Sequence, residues 1–190
     1  MEIIRCAWPK SDPLQIEYHD KEWGVPLFDD QKIFEFIILE TFQAGLSWQT
    51  ILNKRENFRK AFDGFDAKKI AHYEQNKLEK LMLDSGIIRN RLKIQSSVSN
   101  AQAFLRLQKE HQSFANYIWQ FTKGKTKINN WNEQTQCPST SLESDMMSKS
   151  LKNEGFKFIG STICYAFMQA TGMVNDHLLN CYRHKEILSK

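Results

Sequence analysis

Apolar residues recur along most of this chain at the three-to-four-residue spacing of a helix, and nowhere in the clear alternation of a strand pair. Asp29 or Asp30 can cap a helix over 30–42, whose Phe34, Phe36, Ile37, Ile38 and Leu39 leave it apolar around most of its circumference, as expected of a central helix. Ser47 to Phe62 predicts a second helix, with Trp48, Ile51, Leu52, Arg55 and Phe58 at helical spacing. Short helices are predicted over 66–71 and 77–83, a long one over 91–109, and another over 114–121. Residues 122–143 are polar and turn-forming and read as a solvated surface connector. Helices over 144–153 and 160–171 follow, then a final segment over 174–184. The predicted fold class is all-α.

Composition narrows this little. With 190 residues there is enough chain for one sizeable core and hardly enough for two independent domains. Lys plus Arg number 26 against 22 for Asp plus Glu, and the resulting charge of +4 is ordinary for a globular protein and modest for a nucleic-acid binder, which would have to gather its basic residues on one face. No apolar run approaches the ~18 residues of a membrane helix, and the start has no basic stretch followed by an apolar one, so the expected location is cytoplasmic. In a reducing compartment the four cysteines call for packing, metal or reactivity rather than disulfides.

Five features carry candidate chemistry. Cys6 and His19 lie near one end, His177 and Cys181 near the other, the latter pair four apart and able to share a helix face. Two Cys and two His suit a closed structural zinc site, but unrelated packing residues would look the same, and His184 is a rival ligand. Glu40 shares a face with Ile33, Phe36 and Ile37, where a carboxylate is either buried for a task or solvated at a fraying end. Directly after it, Gly45 permits a tight turn and Ser47 a cap, leaving Leu46 at an apex: a minor-groove wedge, or a turn whose leucine folds back into the core. Trp8, Tyr18, Trp23 and Trp48 cluster in the first quarter, forming either an aromatic core or a slot for a flat cationic heterocycle. Finally, Leu83 to Ile94 breaks at Gly86 and restarts among Arg89, Arg91 and Lys93, like a helix-hairpin-helix phosphate clamp with Ile88 where a second glycine is usual, or a plain packing turn with a basic outer face.

Several stretches together are specific: Tyr18-His19-Asp20-Lys21-Glu22-Trp23-Gly24-Val25-Pro26, Gln43-Ala44-Gly45-Leu46-Ser47-Trp48, Lys54-Arg55-Glu56-Asn57-Phe58, Gly86-Ile87-Ile88-Arg89, Gly155-Phe156-Lys157-Phe158-Ile159-Gly160, Thr162-Ile163-Cys164-Tyr165, Met168-Gln169-Ala170 and Val174-Asn175-Asp176-His177. With these, nearly the whole chain resembles the bacterial 3-methyladenine DNA glycosylase I family. The resemblance implies an all-α helix-hairpin-helix glycosylase with two lobes flanking a groove: one over about 30–120 with the hairpin, the other built from about 1–29 and 121–190. It implies one structural zinc on Cys6, His19, His177 and Cys181, a pocket acid at Glu40, a stacking ring at Trp48, and pocket positions at Tyr18, Trp8 and Trp23. Gly45 and Leu46 would form the DNA-intercalating tip, and Gly86, Arg89 and Arg91 the DNA-backbone contact. Gln15 stands where relatives can carry an aromatic residue, so a different pocket rim is expected.

The implied activity is excision of N3-methyladenine from double-stranded DNA by a monomeric, nucleoid-associated enzyme. The methylated base is cationic and leaves readily. That fits the absence of any Asp between the hairpin and Asp145, where relatives of the superfamily place a catalytic one. No lysine is marked as a Schiff-base nucleophile, so a monofunctional glycosylase is expected. The alternative is a non-catalytic lesion-binding module, which could use the same hairpin and charge but has no need of an acid among aromatics. Cys164 is expected to be buried packing and Cys137 a free surface thiol.

Overall fold

The structure, a computed structural model, describes residues 3–188, Leu188 through its backbone alone; the first two residues of the start read above lie outside it. In chain order the helices are α1 (Pro13–Lys21), α2 (Asp30–Gln43), α3 (Trp48–Ala61), α4 (Ala67–Ile70), α5 (Gln75–Leu83), α6 (Arg91–Glu110), α7 (Phe114–Trp119), α8 (Leu142–Asn153), α9 (Ser161–Ala170) and α10 (Tyr182–Leu188). No helix among the described residues is long and apolar enough to cross a membrane.

Helix α2 is the axis. All residues from Ile33 to Phe42 are buried, and α3, α6, α7 and α9 pack around it. The two adjacent acids predicted as caps divide the work. Asp29 accepts from Lys32 N at 2.9 Å to start α2, while Asp30 accepts from Phe114 N and Ala115 N, both at 2.8 Å, and so starts α7 instead.

Helix α1 has no counterpart in the predicted elements. Its buried side chains are Gln15, Tyr18 and His19, so the face turned inward is polar and aromatic and leaves no apolar period to detect. Its local signal is the pair Asp12-Pro13: Asp12 accepts from Gln15 N at 3.0 Å, and proline occupies the first turn, where its missing N–H costs nothing.

Two further departures concern the ends. The chain does form a strand pair: β1 (Lys127–Ile128) lies parallel to β2 (Val174–Asn175), fastening the connector to the segment after α9. His177 and Cys181 do not share a helix face. They sit in the loop between β2 and α10, which returns the chain towards its start through Tyr182 N donating to Ile4 O at 3.0 Å. Gly172 makes the matching approach on the other side. Its φ is +70°, and a Cβ there would lie 2.3 Å from the Val25 carbonyl carbon. The close passage lets Gly24 N donate to Gln169 O at 2.9 Å and Leu27 N to Thr171 O at 3.0 Å, setting Trp23 beside the end of α9.

Candidate functional site

Cys6, His19, His177 and Cys181 converge, although they come from an N-terminal loop, α1 and a C-terminal loop. Their ligand atoms all lie within 4.8 Å of one another, and all four residues are buried. Cys181 Sγ lies 3.5 Å from both His19 Nε2 and His177 Nδ1, and Cys6 Sγ lies 3.7 Å from His177 Nδ1. The far nitrogen of each imidazole is engaged: His19 Nδ1 with Asp20 Oδ1 at 2.8 Å, His177 Nε2 with the Trp23 carbonyl at 3.0 Å. With each far nitrogen donating its proton outward, the inner nitrogen presents a lone pair to the cluster. Burial works against the Asp20 carboxylate, but hydrogen bonds from Arg5 and His19 outweigh it and hold its pKa at about 2. The cluster is therefore a site that could hold a metal ion. His184 is outside it, its Nε2 bonded to Asn129 O at 2.9 Å.

Beside the cluster lies a cavity of about 170 Å³ lined by Trp8, Tyr18, Trp23, Glu40, Gln43, Trp48, Gln134, Ala166 and Gln169. All four predicted aromatic residues thus belong to one wall. Tyr18 and Trp48 have ring centres 5.1 Å apart, tilted by 43°, and Trp8 meets Trp23 edge-on at 5.1 Å. Trp8 also lies 5.5 Å from His19, and Trp23 4.6 Å from His177, so the aromatic wall is built directly on the cluster. Gln15 is buried on α1 but does not line the cavity, so it forms no part of this rim.

Glu40 is not at a fraying end. It is 2% exposed, one turn inside α2, and burial alone raises its pKa to about 8. Its Oε2 has no hydrogen-bond partner, and neither do Trp8 Nε1, Trp48 Nε1 and Gln43 Oε1. Four of the seven orphaned buried polar atoms among the described residues therefore belong to this one cavity. Leaving buried polar atoms unpaired costs roughly 1–3 kcal/mol each, which marks a surface made for a ligand with its own donors and acceptors. A larger hollow of about 550 Å³ opens beyond Phe36, but its arginines and two of its acids are matched: Arg55 and Arg59 bind Glu35 at 2.7 Å and Arg55 binds Glu22 at 2.8 Å. It contains no orphan, so size alone misdirects here.

Directly after α2 the chain turns at Gly45, with φ of +81° and nothing within 4 Å of where a Cβ would stand, and Ser47 caps α3 through Thr50 N at 3.2 Å. Leu46 stands at the apex, 42% exposed, and does not fold back into the core. The hairpin also forms. α5 ends at Leu83, Asp84 accepts from Gly86 N at 2.7 Å, and Asn90 caps α6 through Lys93 N at 3.2 Å. Lys54 of α3 donates to the Ser85 and Gly86 carbonyls at 3.2 and 3.1 Å, holding the turn. Arg89 and Arg91 are exposed and, among the described residues, form no ion pair.

Known proteins share this sequence and this fold. The family model described as methyladenine glycosylase matches residues 8–184. The chain belongs to the methyladenine glycosylase family. It is 48% identical over 177 residues to DNA-3-methyladenine glycosylase 1 of Escherichia coli (strain K12), covering 93% of this chain and 95% of that protein. It is likewise 48% identical over 177 residues to the DNA-3-methyladenine glycosylase of Haemophilus influenzae, covering 93% and 96%. A crystal structure of 3-methyladenine DNA glycosylase I superposes with a TM-score of 0.92 at 49% identity, covering 94% of this chain and 98% of that one. The glycosylase from Staphylococcus aureus whose structure addresses 3-methyladenine recognition superposes at 0.90 and 34% identity, covering 94% and 95%.

Some cavity residues were not predicted from sequence. Gln43 carried a signal, since it follows Glu40 by three residues on one helix face. Gln134 carried none: it comes from the connector, which is thus not merely a solvated loop but supplies part of the rim. The connector is tied down at Asp176. This buried carboxylate accepts from Asn129 Nδ2 at 2.7 Å, Trp131 Nε1 at 2.8 Å, Tyr165 OH at 2.8 Å, Gln169 Nε2 at 2.8 Å and Cys137 Sγ at 3.2 Å. Cys137 is accordingly not a free surface thiol. It is half-buried, and burial beside the Asp176 carboxylate pushes its pKa up to about 12. Cys164 is buried packing, as expected.

Proposed function

We propose that this protein is a monofunctional glycosylase that excises N3-methyladenine from alkylated double-stranded DNA during base excision repair. The observation that carries the proposal is the unpaired, buried carboxyl of Glu40 at the back of an aromatic cavity. The damaged nucleotide is extruded from the helix, Leu46 fills the gap in the stack, and the base enters the cavity against Trp48 and Tyr18. Aromatic faces favour its positive charge. In the free protein burial favours the neutral Glu40 carboxyl, with its pKa near 8; a cationic base beside it reverses that preference and draws out the carboxylate. Glu40 and Gln43 Oε1 then accept from the base's amino edge, while the Trp8 and Trp48 N–H groups are free to donate to its ring nitrogens or the sugar.

Chemistry is undemanding because the leaving group already carries the charge. The glycosidic electron pair departs with the base, which leaves as neutral 3-methyladenine. Water adds its oxygen to C1′ of the sugar and releases a proton. No lysine lines the cavity, which supports hydrolysis without a Schiff base. Where superfamily relatives carry an aspartate after the hairpin, Ser96 and Ser97 are buried and donate to the Lys93 and Ile94 carbonyls at 2.8 and 2.6 Å.

We assign the four-residue cluster to one structural zinc. Tetrahedral zinc with Zn–S of about 2.3 Å and Zn–N of about 2.0 Å would call for S···N separations of about 3.5 Å, and three of the four S···N pairs here lie at 3.5, 3.5 and 3.7 Å. Held by these four residues, the ion would have no position left for a reacting water and would contribute by joining the chain ends. The body over about 30–120 and the unit formed by about 1–29 and 121–190 would then be the two lobes, with Gly86, Arg89 and Arg91 meeting the DNA backbone on the first.

The test is base release from methylated duplex DNA, with the product identified by chromatography. Zinc-loaded wild type is expected to release 3-methyladenine and Glu40→Gln to release it more slowly. Unchanged excision by the variant removes Glu40 from the mechanism, and no release by wild type leaves the lesion-binding alternative.

A further inference from the structure

Among the described residues Lys93 is the only lysine in the buried interior. Its position runs against simple electrostatics: it is the third residue of α6, where the positive end of the helix dipole disfavours a cation, and it forms no ion pair among the described residues. Its partners explain it. Nζ donates to the Phe42 carbonyl at 3.0 Å and to the Ala44 carbonyl at 2.6 Å, at the C-terminal end of α2. Those carbonyls lack helical partners and sit at the negative end of the α2 dipole. The same turn carries Gln43 on the cavity wall and, just beyond, Gly45 and Leu46. Lys93 itself leaves the hairpin two residues after Arg91. One side chain therefore bridges the apex and the hairpin.

We propose that Lys93 is a positioning residue that locks the Gly45-Leu46 tip to the hairpin, so that wedge and backbone clamp engage DNA as one rigid unit. Insertion of Leu46 pushes back on a turn that otherwise hinges at a glycine; two hydrogen bonds from a buried ammonium resist that recoil. Lys93 does not line the cavity, so its effect is expected on the duplex substrate rather than on the free base. The proposal rests on the glycosylase reading above.

The experiment measures two quantities on zinc-loaded full-length protein: single-turnover excision from methylated duplex, and affinity for free 3-methyladenine by tryptophan fluorescence. Lys93→Met is expected to lower excision about 10- to 100-fold, the scale of a misplacement of about 1 Å, while free-base affinity changes less than twofold. Leu46→Ala is expected to lower excision as well, and the double variant to fall no further than the weaker single one, because the tether acts through the tip. Lys93→Arg, which keeps a donor for both carbonyls, is expected to recover most of the loss. Multiplying defects in the double variant, or free-base affinity falling in step with excision, would overturn the proposal. If Lys93→Met does not fold, Lys93→Gln enters the same cycle. Absence of base release by wild type would instead defeat the glycosylase reading, and full activity of Leu46→Ala would defeat both the wedge and the tether.

Discussion

His177 joins two parts of the molecule at once: its Nε2 lies 3.0 Å from the carbonyl of Trp23, while its Nδ1 faces the sulfurs of Cys6 and Cys181. The ring of Trp23 lines the cavity. Loss of the proposed zinc would therefore reach the cavity through one imidazole. Cys181→Ser is expected to abolish zinc binding, lower Tm by roughly 10 °C if about 3 kcal/mol is lost, and weaken binding of free 3-methyladenine. Metal analysis, calorimetry and fluorescence titration check the three effects, and a variant that retains base affinity without zinc contradicts the coupling.

Glu40 makes stability depend on pH with an unusual sign. Its folded pKa, about 8, is above its ordinary value of 4.5. Below 4.5 the group is neutral in both states. As pH rises from 4.5 towards 8 the unfolded chain ionises while the fold keeps its proton, so stability falls by about 1.4 kcal/mol per unit until the slope levels above 8. Glu40→Gln removes this contribution. The variant is expected to be more stable than wild type at pH 7.5 and to lose that advantage near pH 4.5, as followed by thermal unfolding. An equal Tm difference at both pH values would refute the buried, unpaired carboxyl.

Asp176 gathers five donors on one carboxylate. Asp176→Asn turns an amide N–H₂ towards some of them and is expected to cost about 2 kcal/mol. It should also free the connector, and with it Gln134 at the cavity rim. Denaturant unfolding measures the first effect. Faster proteolysis within the connector, reduced by bound 3-methyladenine, measures the second.

Arg89 and Arg91 are expected to act on DNA without regard to sequence or lesion. Replacing either by Ala should lower the slope of log K against log salt by about 0.9 for each phosphate no longer neutralised and leave free-base affinity unchanged. Binding isotherms on undamaged duplex at several salt concentrations decide this; an unchanged slope removes that arginine from the backbone contact.

The residues that could be placed from sequence alone are those whose signal is local. Helix α2 announces itself by a cap and a run of apolar residues, the hairpin by Gly86 between two helices, and the tip by Gly45 and Ser47, because capping and turn formation depend on neighbours within a few positions. The aromatic and ligand residues were legible through motifs rather than through periodicity. Helix α1 shows why: the face it buries is Gln15, Tyr18 and His19, which no hydrophobic pattern reveals. The spacing of His177 and Cys181 suggested a helix, yet the pair meets through a loop, since what brings it together is Cys6 and His19 from the other end of the chain. Whether Glu40 was solvated or buried, whether Leu46 pointed out or in, and what Lys93, Gln134 and Asp176 do were decided only by packing between distant segments. The chemistry of each side chain was written in the sequence; its environment, which sets pKa, exposure and partner, arises from contacts between segments far apart in the chain and belongs to the tertiary structure.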